Sequence, residues 1–317
     1  MTLGLWGRLA LGLAMTLTWV LAWLPRPLNR ALGDLGGLLF YLLFGRRRRI
    51  ALDNVRRAQD GGWVDRGVPA GRIARKSFQG MGRTALESFA LLHRGLGYFR
   101  GSLVFEGDEE GLRETVAAAR REGRGLVLLT AHAGNWELAS AAVPEFLGIG
   151  LSVVGRTQGG LSDAILRRVR SLGGGEFIHK DGGARAMLSL LRSGGFLGTL
   201  FDQADIVGSG GGRLSFMGRP AMTTLGPERL AAKTGAALAP LFCRREGGKN
   251  IIEIHKPFAP PADPKDRGWV LTTAQALNDL LADFVRRHPE QWMWSHRRWK
   301  MPESRGGDRS APAAGTV

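Results

Sequence analysis

The sequence predicts an α/β fold, a mostly parallel sheet flanked by helices, preceded by an N-terminal membrane helix. From residue 103 onward short apolar runs alternate with amphipathic stretches at helical spacing, which is the pattern of strands each followed by a covering helix. Residues 9–24 carry no charge. They fall slightly short of the ~20 residues a membrane span needs, unless Leu3 to Trp6 extend them while Arg8 reaches back to the interface.

A Pro-Arg-Pro break at Pro25 to Pro27 separates this stretch from a second apolar run over 35–44, which ends on Arg46-Arg47-Arg48-Arg49. Four adjacent cations beside an apolar segment suit anionic headgroups on the cytoplasmic side. No clear small-x-small cleavage site precedes Pro25, so an anchor is favoured over a cleaved signal peptide. The expected organisation is an anchor over 1–45, a catalytic body over 46–300 and a disordered tail over 301–317, rich in Gly, Ser, Ala and Pro.

Residues 50–94 predict helices, with Ile73, Phe78, Met81, Leu86, Phe89 and Leu92 on one stripe and glycines over 61–71 dividing them. Strands are expected over 103–106, 125–130, 150–154, 196–201, 237–243 and 251–255. Helices are expected over 109–121, 136–146, 162–171, 184–192 and 269–287. The Gly/Ser run 207–212 reads as a loose loop beside the site. In such sheets chemistry gathers at the carboxyl ends of the strands.

Composition narrows the function classes. The 317 residues carry a formal charge of +16, which suits a phosphate- or carboxylate-bearing partner. The single cysteine, Cys243, excludes an intramolecular disulfide, a Cys-based zinc site and a Cys-x-x-Cys redox pair, and its apolar surroundings read as a buried thiol. The six histidines show no close ligand spacing, so no metal is expected. There is no Gly-x-Ser-x-Gly elbow for a serine hydrolase. Cations spread along the chain, with no helix-turn-helix, zinc-finger or RNA-binding signature, argue against nucleic acid as partner. A basic nucleic-acid- or membrane-binding protein without activity is the remote alternative.

The apolar run 125–130 delivers His132 to a loop just before a helix. Glu137, one turn into that helix, is placed to fold back on the ring, fix its tautomer and stabilise imidazolium while the other nitrogen takes a proton from a hydroxyl. A His and a Glu five apart fit an ordinary capping or core histidine equally well.

The stretch Thr130-Ala-His-Ala-Gly-Asn-Trp-Glu137 resembles the signature of the late acyltransferases of lipid A biosynthesis, the lauroyl and myristoyl transferases, within the lysophospholipid and glycerol-phosphate acyltransferase superfamily. The resemblance continues along most of the chain: an N-terminal membrane helix with the Arg cluster and Asn54, Val153-Val-Gly-Arg156, Phe201-Asp-Gln203, and Phe216-Met-Gly-Arg219-Pro-Ala. Further matches run from Thr224 to Ala231, from Gly235 to Pro240, and over Arg287-His-Pro-Glu-Gln-Trp-Met-Trp-Ser-His-Arg-Arg-Trp-Lys300. Gly155 departs from the family pattern, where an aromatic is commoner, as do the glycines over 61–71.

The resemblance implies O-acyl transfer from an acyl thioester of acyl carrier protein or coenzyme A to a hydroxyl of a lipid A precursor, a phosphorylated glycolipid, at the cytoplasmic face of the inner membrane and without a cofactor. It implies His132 as general base, Glu137 as orienting carboxylate, and Arg156, Asp202, Gln203, Arg219 and Arg229 as substrate-binding. The same chemistry on another lipid, such as a phosphatidylinositol mannoside, is the alternative. The cluster of Trp292, Trp294 and Trp299 with Arg297, Arg298 and Lys300 fits either core packing or a membrane interface.

Overall fold

The computed structural model describes residues 5–156, 161–204 and 211–301, the side chains of 5–8 and 161–162 excepted. Four helices come first: α1 (Leu5–Ala22), α2 (Arg26–Leu43), α3 (Gly45–Asp60) and α4 (Ala70–Arg94). The body follows as β1 (Leu103–Gly107), α5 (Glu109–Arg121), β2 (Leu126–Thr130), α6 (Trp136–Leu147), β3 (Leu151–Gly155), α7 (Leu161–Arg170), β4 (Gly174–His179), α8 (Ala184–Arg192) and β5 (Phe196–Leu200). It closes with β6 (Gly211–Phe216), β7 (Arg219–Thr224), α9 (Gly226–Thr234), β8 (Ala237–Glu246), β9 (Lys249–Ile254) and α10 (Arg267–Arg287).

Seven of these strands form one sheet in the order β1-β9-β8-β2-β5-β3-β4. Every pairing is parallel except β8 with β9. The expected α/β class with a mostly parallel sheet is therefore present. Apolar residues alternate across the strands to feed two cores. On β2, Val127 and Leu129 join a cluster with Phe78, Leu277, Phe284 and Trp292, whereas Leu126 and Leu128 join one with Leu112, Leu138 and Val143. This two-sided burial explains why β2 is a continuous apolar run rather than an alternating one.

Three strands were not expected. β4 reads Gly-Gly-Glu-Phe-Ile-His at the sheet edge, with little apolar signal. β6 and β7 form a separate antiparallel hairpin, paired Phe216↔Arg219 at its turn. Gly211 and Gly212, expected in a loose loop, begin β6, while residues 207–210 of that loop lie outside the described residues, as does the tail beyond 301.

The N-terminal helices differ from the expected anchor. No helix among the described residues is long and apolar enough to cross a membrane. α1 has 18 residues, about 27 Å of helix against a hydrocarbon core of about 30 Å. α2 carries Arg26, Arg30 and Asp34 and is committed to the body. A Cβ on Gly37 would collide with the Phe78 carbonyl of α4, and one on Gly82 of α4 with the Gly33 carbonyl. The two backbones touch, and Arg83 donates two hydrogen bonds of 2.6 Å to Asp34 beside the contact.

Candidate active site

β2 and β5 lie side by side in parallel, with Thr130 opposite Leu200. The chain continues in register past both strand ends, and the Phe201 N–H donates to the Thr130 carbonyl (3.2 Å). Two residues beyond each strand, His132 and Asp202 therefore meet. Their Nδ1 and Oδ1 atoms are 2.8 Å apart, and the His132 backbone N–H donates to the second carboxylate oxygen (3.0 Å). Trp292 Nε1 donates to that same oxygen (2.9 Å).

Asp202 is buried and His132 is 17 % exposed. Burial alone would raise the Asp202 carboxyl. The charge of His132 and the hydrogen bonds from its ring, Trp292 and the His132 backbone outweigh burial and hold Asp202 at about 2. The carboxylate stays ionised and fixes a proton on Nδ1, which leaves Nε2 as the ring's acceptor. Nε2 lies 3.5 Å from Gln203 Nε2. The Trp136 ring stands edge-on to the imidazole, 5.3 Å away.

The loop holding His132 is clamped from the far end of the chain. Met293 N–H donates to the His132 carbonyl (2.9 Å), Gly134 N–H donates to the Gln291 carbonyl (3.0 Å), and Ala133 bridges Trp292. Gly134 has φ of +55°, and a Cβ there would collide with the Cys243 carbonyl. Only glycine meets both demands. Asn135 then caps α6, its side chain accepting from the Leu138 N–H (3.0 Å). The Trp-rich terminal segment is core: Trp292, Trp294 and Trp299 are buried.

Glu137 does not face the imidazole. From the first turn of α6 its carboxylate accepts from Arg170 Nε (3.0 Å) and Nη2 (2.6 Å) and from Trp136 Nε1 (3.0 Å). The expected orienting position of Glu137 is occupied by Asp202, because the helix turns the nearer carboxylate toward α7 while sheet register delivers the more distant one. Signals for Asp202 existed in the sequence, since it follows an apolar run just as His132 does. Trp292 was visible as part of the Trp-rich terminal stretch, though not as a partner of Asp202, and Arg170 had no signal of its own.

The remaining expected substrate residues divide. Asp202 and Gln203 are at the imidazole. Arg156 follows β3, the strand next to β5, so it shares the same carboxyl edge; it is exposed, 3.6 Å from Asp181. Arg219 opens β7 at the hairpin turn, opposite Phe216, whose ring packs on Trp292 and Trp299. Arg229 is elsewhere, in a cleft between α9 and α10. A narrow apolar chamber lies between the sheet and α6, lined by Leu128, Val143, Leu151, Val153, Leu200 and Leu241. Trp136 lines it as well and connects it to the imidazole.

Cys243 is buried, and burial pushes its thiol up to about 12, so it carries no nucleophilic chemistry at neutral pH. Buried Arg298 makes no ion pair among the described residues and donates to the Met222 carbonyl (2.8 Å), Thr223 Oγ1 (3.0 Å) and Asn278 Oδ1 (2.9 Å). Burial lowers it to about 10.

A family profile described as bacterial lipid A biosynthesis acyltransferase matches residues 4–301. Among curated proteins, a phosphatidylinositol mannoside acyltransferase of Mycobacterium tuberculosis is 29% identical over 188 residues, 57% of each chain. A lipid A biosynthesis acyltransferase of Haemophilus influenzae is 26% identical over 185 residues, 57% of this chain and 55% of that one. A lipid A biosynthesis lauroyltransferase of Escherichia coli is 36% identical over 83 residues, 25% of this chain and 26% of that one. The chain thus matches a little over half the length of the first two relatives.

Proposed function

Because the chain belongs to the bacterial lipid A biosynthesis acyltransferase family, we propose that it transfers a fatty acyl group from a thioester to a hydroxyl of a lipid acceptor, with His132 as general base and Asp202 as its orienting carboxylate. The register-built pair of His132 and Asp202 is the observation that carries this reading. The acceptor hydroxyl gives its proton to His132 Nε2 as its oxygen attacks the thioester carbonyl. Collapse of the tetrahedral intermediate breaks the carbon–sulfur bond, the thiolate takes the proton from imidazolium, and an ester and a free thiol leave. The apolar chamber beside Trp136, about 40 Å³, has a lining suited to an acyl chain and must widen to take the chain out of water. Arg156 and Arg219 are suited to acceptor phosphates, where a guanidinium fork matches the oxygens.

A lipid A precursor is the first acceptor to test, with acyl carrier protein or coenzyme A as donor carrier. A phosphatidylinositol mannoside is the second, favoured by the mycobacterial relatives. Purified protein is expected to release thiol and form a new ester, detected by mass spectrometry, with one of these acceptors. His132→Ala should lower turnover by at least ~100-fold. Near-full turnover in that variant would overturn the mechanism.

The acceptor is a lipid, and the exposed side chains of the N-terminal helices support a reading in which the protein binds the cytoplasmic face of the inner membrane. Leu13, Trp23, Leu39, Leu43 and Phe44 are exposed, and Arg46, Arg47 and Arg49 are exposed immediately after them. An apolar face rimmed by cations lies in the interface plane rather than crossing it. In flotation with vesicles of anionic phospholipid, Leu43→Glu with Phe44→Glu should cut the bound fraction several-fold. Undiminished flotation of that variant would count against this placement.

A further inference from the structure

The junction of α1 and α2 gathers three arginines about one aromatic ring. Arg94, at the end of α4, stands over Tyr98 at 4.6 Å and over Trp23 at 4.9 Å, and Arg26 stands over Tyr98 at 5.1 Å. Arg26 Nη2 donates to the Tyr98 carbonyl and to that of Arg100 (3.4 Å), and Arg94 Nη1 donates to the Ala22 carbonyl (3.4 Å). Arg30, one turn along α2, donates through Nη2 to the Gly248 carbonyl (2.8 Å). Each guanidinium is thus held by one nitrogen. Among the described residues, their other N–H groups make no hydrogen bond or ion pair.

The Tyr98 ring is buried, whereas its hydroxyl still meets solvent and makes no hydrogen bond among the described residues. Burial, aided by the charge of Glu87, raises this phenol above its usual value against the pull of Arg26, Arg94 and Arg30, so it keeps its proton and remains a donor. Nearby acids do not cancel the positive charge. Asp34, one turn beyond Arg30, receives both hydrogen bonds of Arg83, and Glu87 pairs with Arg245. Counting those two pairs, five guanidiniums meet two carboxylates. The excess charge is held in place by stacking and by carbonyls, which orients free donors in advance of a ligand.

The surroundings suit a bilayer surface. Trp19 and Trp23 are 52 % and 56 % exposed with their rings 6.2 Å apart, and Leu28 is exposed between Arg26 and Arg30. Tryptophans beside arginines are typical of the headgroup level of a membrane. β8 runs parallel to β2 and turns at Gly247-Gly248 into β9, so the turn that Arg30 reaches lies on the edge where β2 delivers His132. Gly134 packs on the Cys243 carbonyl, and β8 runs three residues further to Glu246, about 10 Å along the strand. The cluster and the imidazole therefore face one side of the molecule without sharing a site.

Resting on the membrane placement above, we propose that Arg26, Arg30, Arg94 and the Tyr98 hydroxyl hold the phosphate of an anionic phospholipid, a bilayer lipid that is not consumed and that fixes the active-site edge at headgroup height. Guanidinium forks match phosphate oxygens, and basic pockets between membrane-bound helices take such headgroups.

Native mass spectrometry of the full chain in detergent, titrated with phosphatidylglycerol or phosphatidylcholine, tests this. The wild type should retain one phosphatidylglycerol and no phosphatidylcholine. For Arg26→Gln with Arg94→Gln, the apparent affinity for phosphatidylglycerol should fall ~10-fold or more. Tyr98→Phe keeps the ring and every charge, and should weaken retention ~3-fold or more. Leu43→Glu with Phe44→Glu should leave it unchanged. Equal retention in wild type and both cluster variants, equal retention of the two lipids, or displacement of the lipid by inorganic phosphate would each overturn the proposal. Displacement by a lipid A precursor, with a raised acceptor KM in the double arginine variant, would also overturn it, because the cluster would then belong to the acceptor. Retention of phosphatidylglycerol without flotation of the wild type on anionic vesicles would instead sink the membrane placement and leave the headgroup site standing.

Discussion

Asp202→Asn is expected to lower kcat by roughly 10²–10⁴-fold while the protein remains folded. One carboxylate oxygen of Asp202 faces His132 Nδ1, and the other accepts two N–H groups, from the His132 backbone and Trp292. An asparagine must choose. Turning its oxygen toward the two N–H donors satisfies both and points its amide N–H at Nδ1. The imidazole then adopts the tautomer with its proton on Nε2, where it no longer accepts a proton from a hydroxyl. Steady-state kinetics with a far-UV spectrum as folding control decides this; a variant that keeps wild-type kcat removes Asp202 from the mechanism.

Asp202 is lowered from 3.8 to about 2, so its anion persists as pH falls until that value, and the support it gives the imidazole is lost only below it. Any acid limb in the wild-type rate profile above pH 3 or so therefore does not report Asp202.

The second large effect is on stability. Glu137→Ala should destabilise the protein by about 3–5 kcal/mol, because Arg170, 13 % exposed, loses its bidentate partner and remains as an uncompensated cation. For a chain of this size that corresponds to a fall in Tm of roughly 5–8 °C. The double substitution Glu137→Leu, Arg170→Met should recover most of the loss, since removing both charges leaves no buried ion behind. Differential scanning calorimetry of the single and double variants measures this. A Glu137→Ala protein with unchanged Tm and abolished turnover would return Glu137 to the chemistry.

Proximity in sequence favours the carboxylate five residues from His132, yet a helix in its first turn directs that side chain toward whatever packs on it, here α7 and Arg170. The partner that reaches the imidazole is seventy residues away, and only strand order decides that β5 is the neighbour of β2. Both strand ends were visible as apolar runs; their adjacency was not. Arg229 shows the same limit from the other side, because a block of sequence that resembles a substrate-binding region supplies an arginine whose position depends on where α9 meets α10.

The sequence by itself determined the α/β class, the helices over 109–121 and 184–192 to the residue, the loop that carries His132, and the family. Those features follow from local periodicity and from short contiguous patterns, which survive without knowledge of what packs against them. Tertiary structure alone decided the partner of His132, the burial of the terminal tryptophans as a clamp, and the packing of α2 against α4 through touching glycines. Each of these depends on contacts between residues far apart in the chain, where the free energy lies in register and close packing rather than in any residue's own preference.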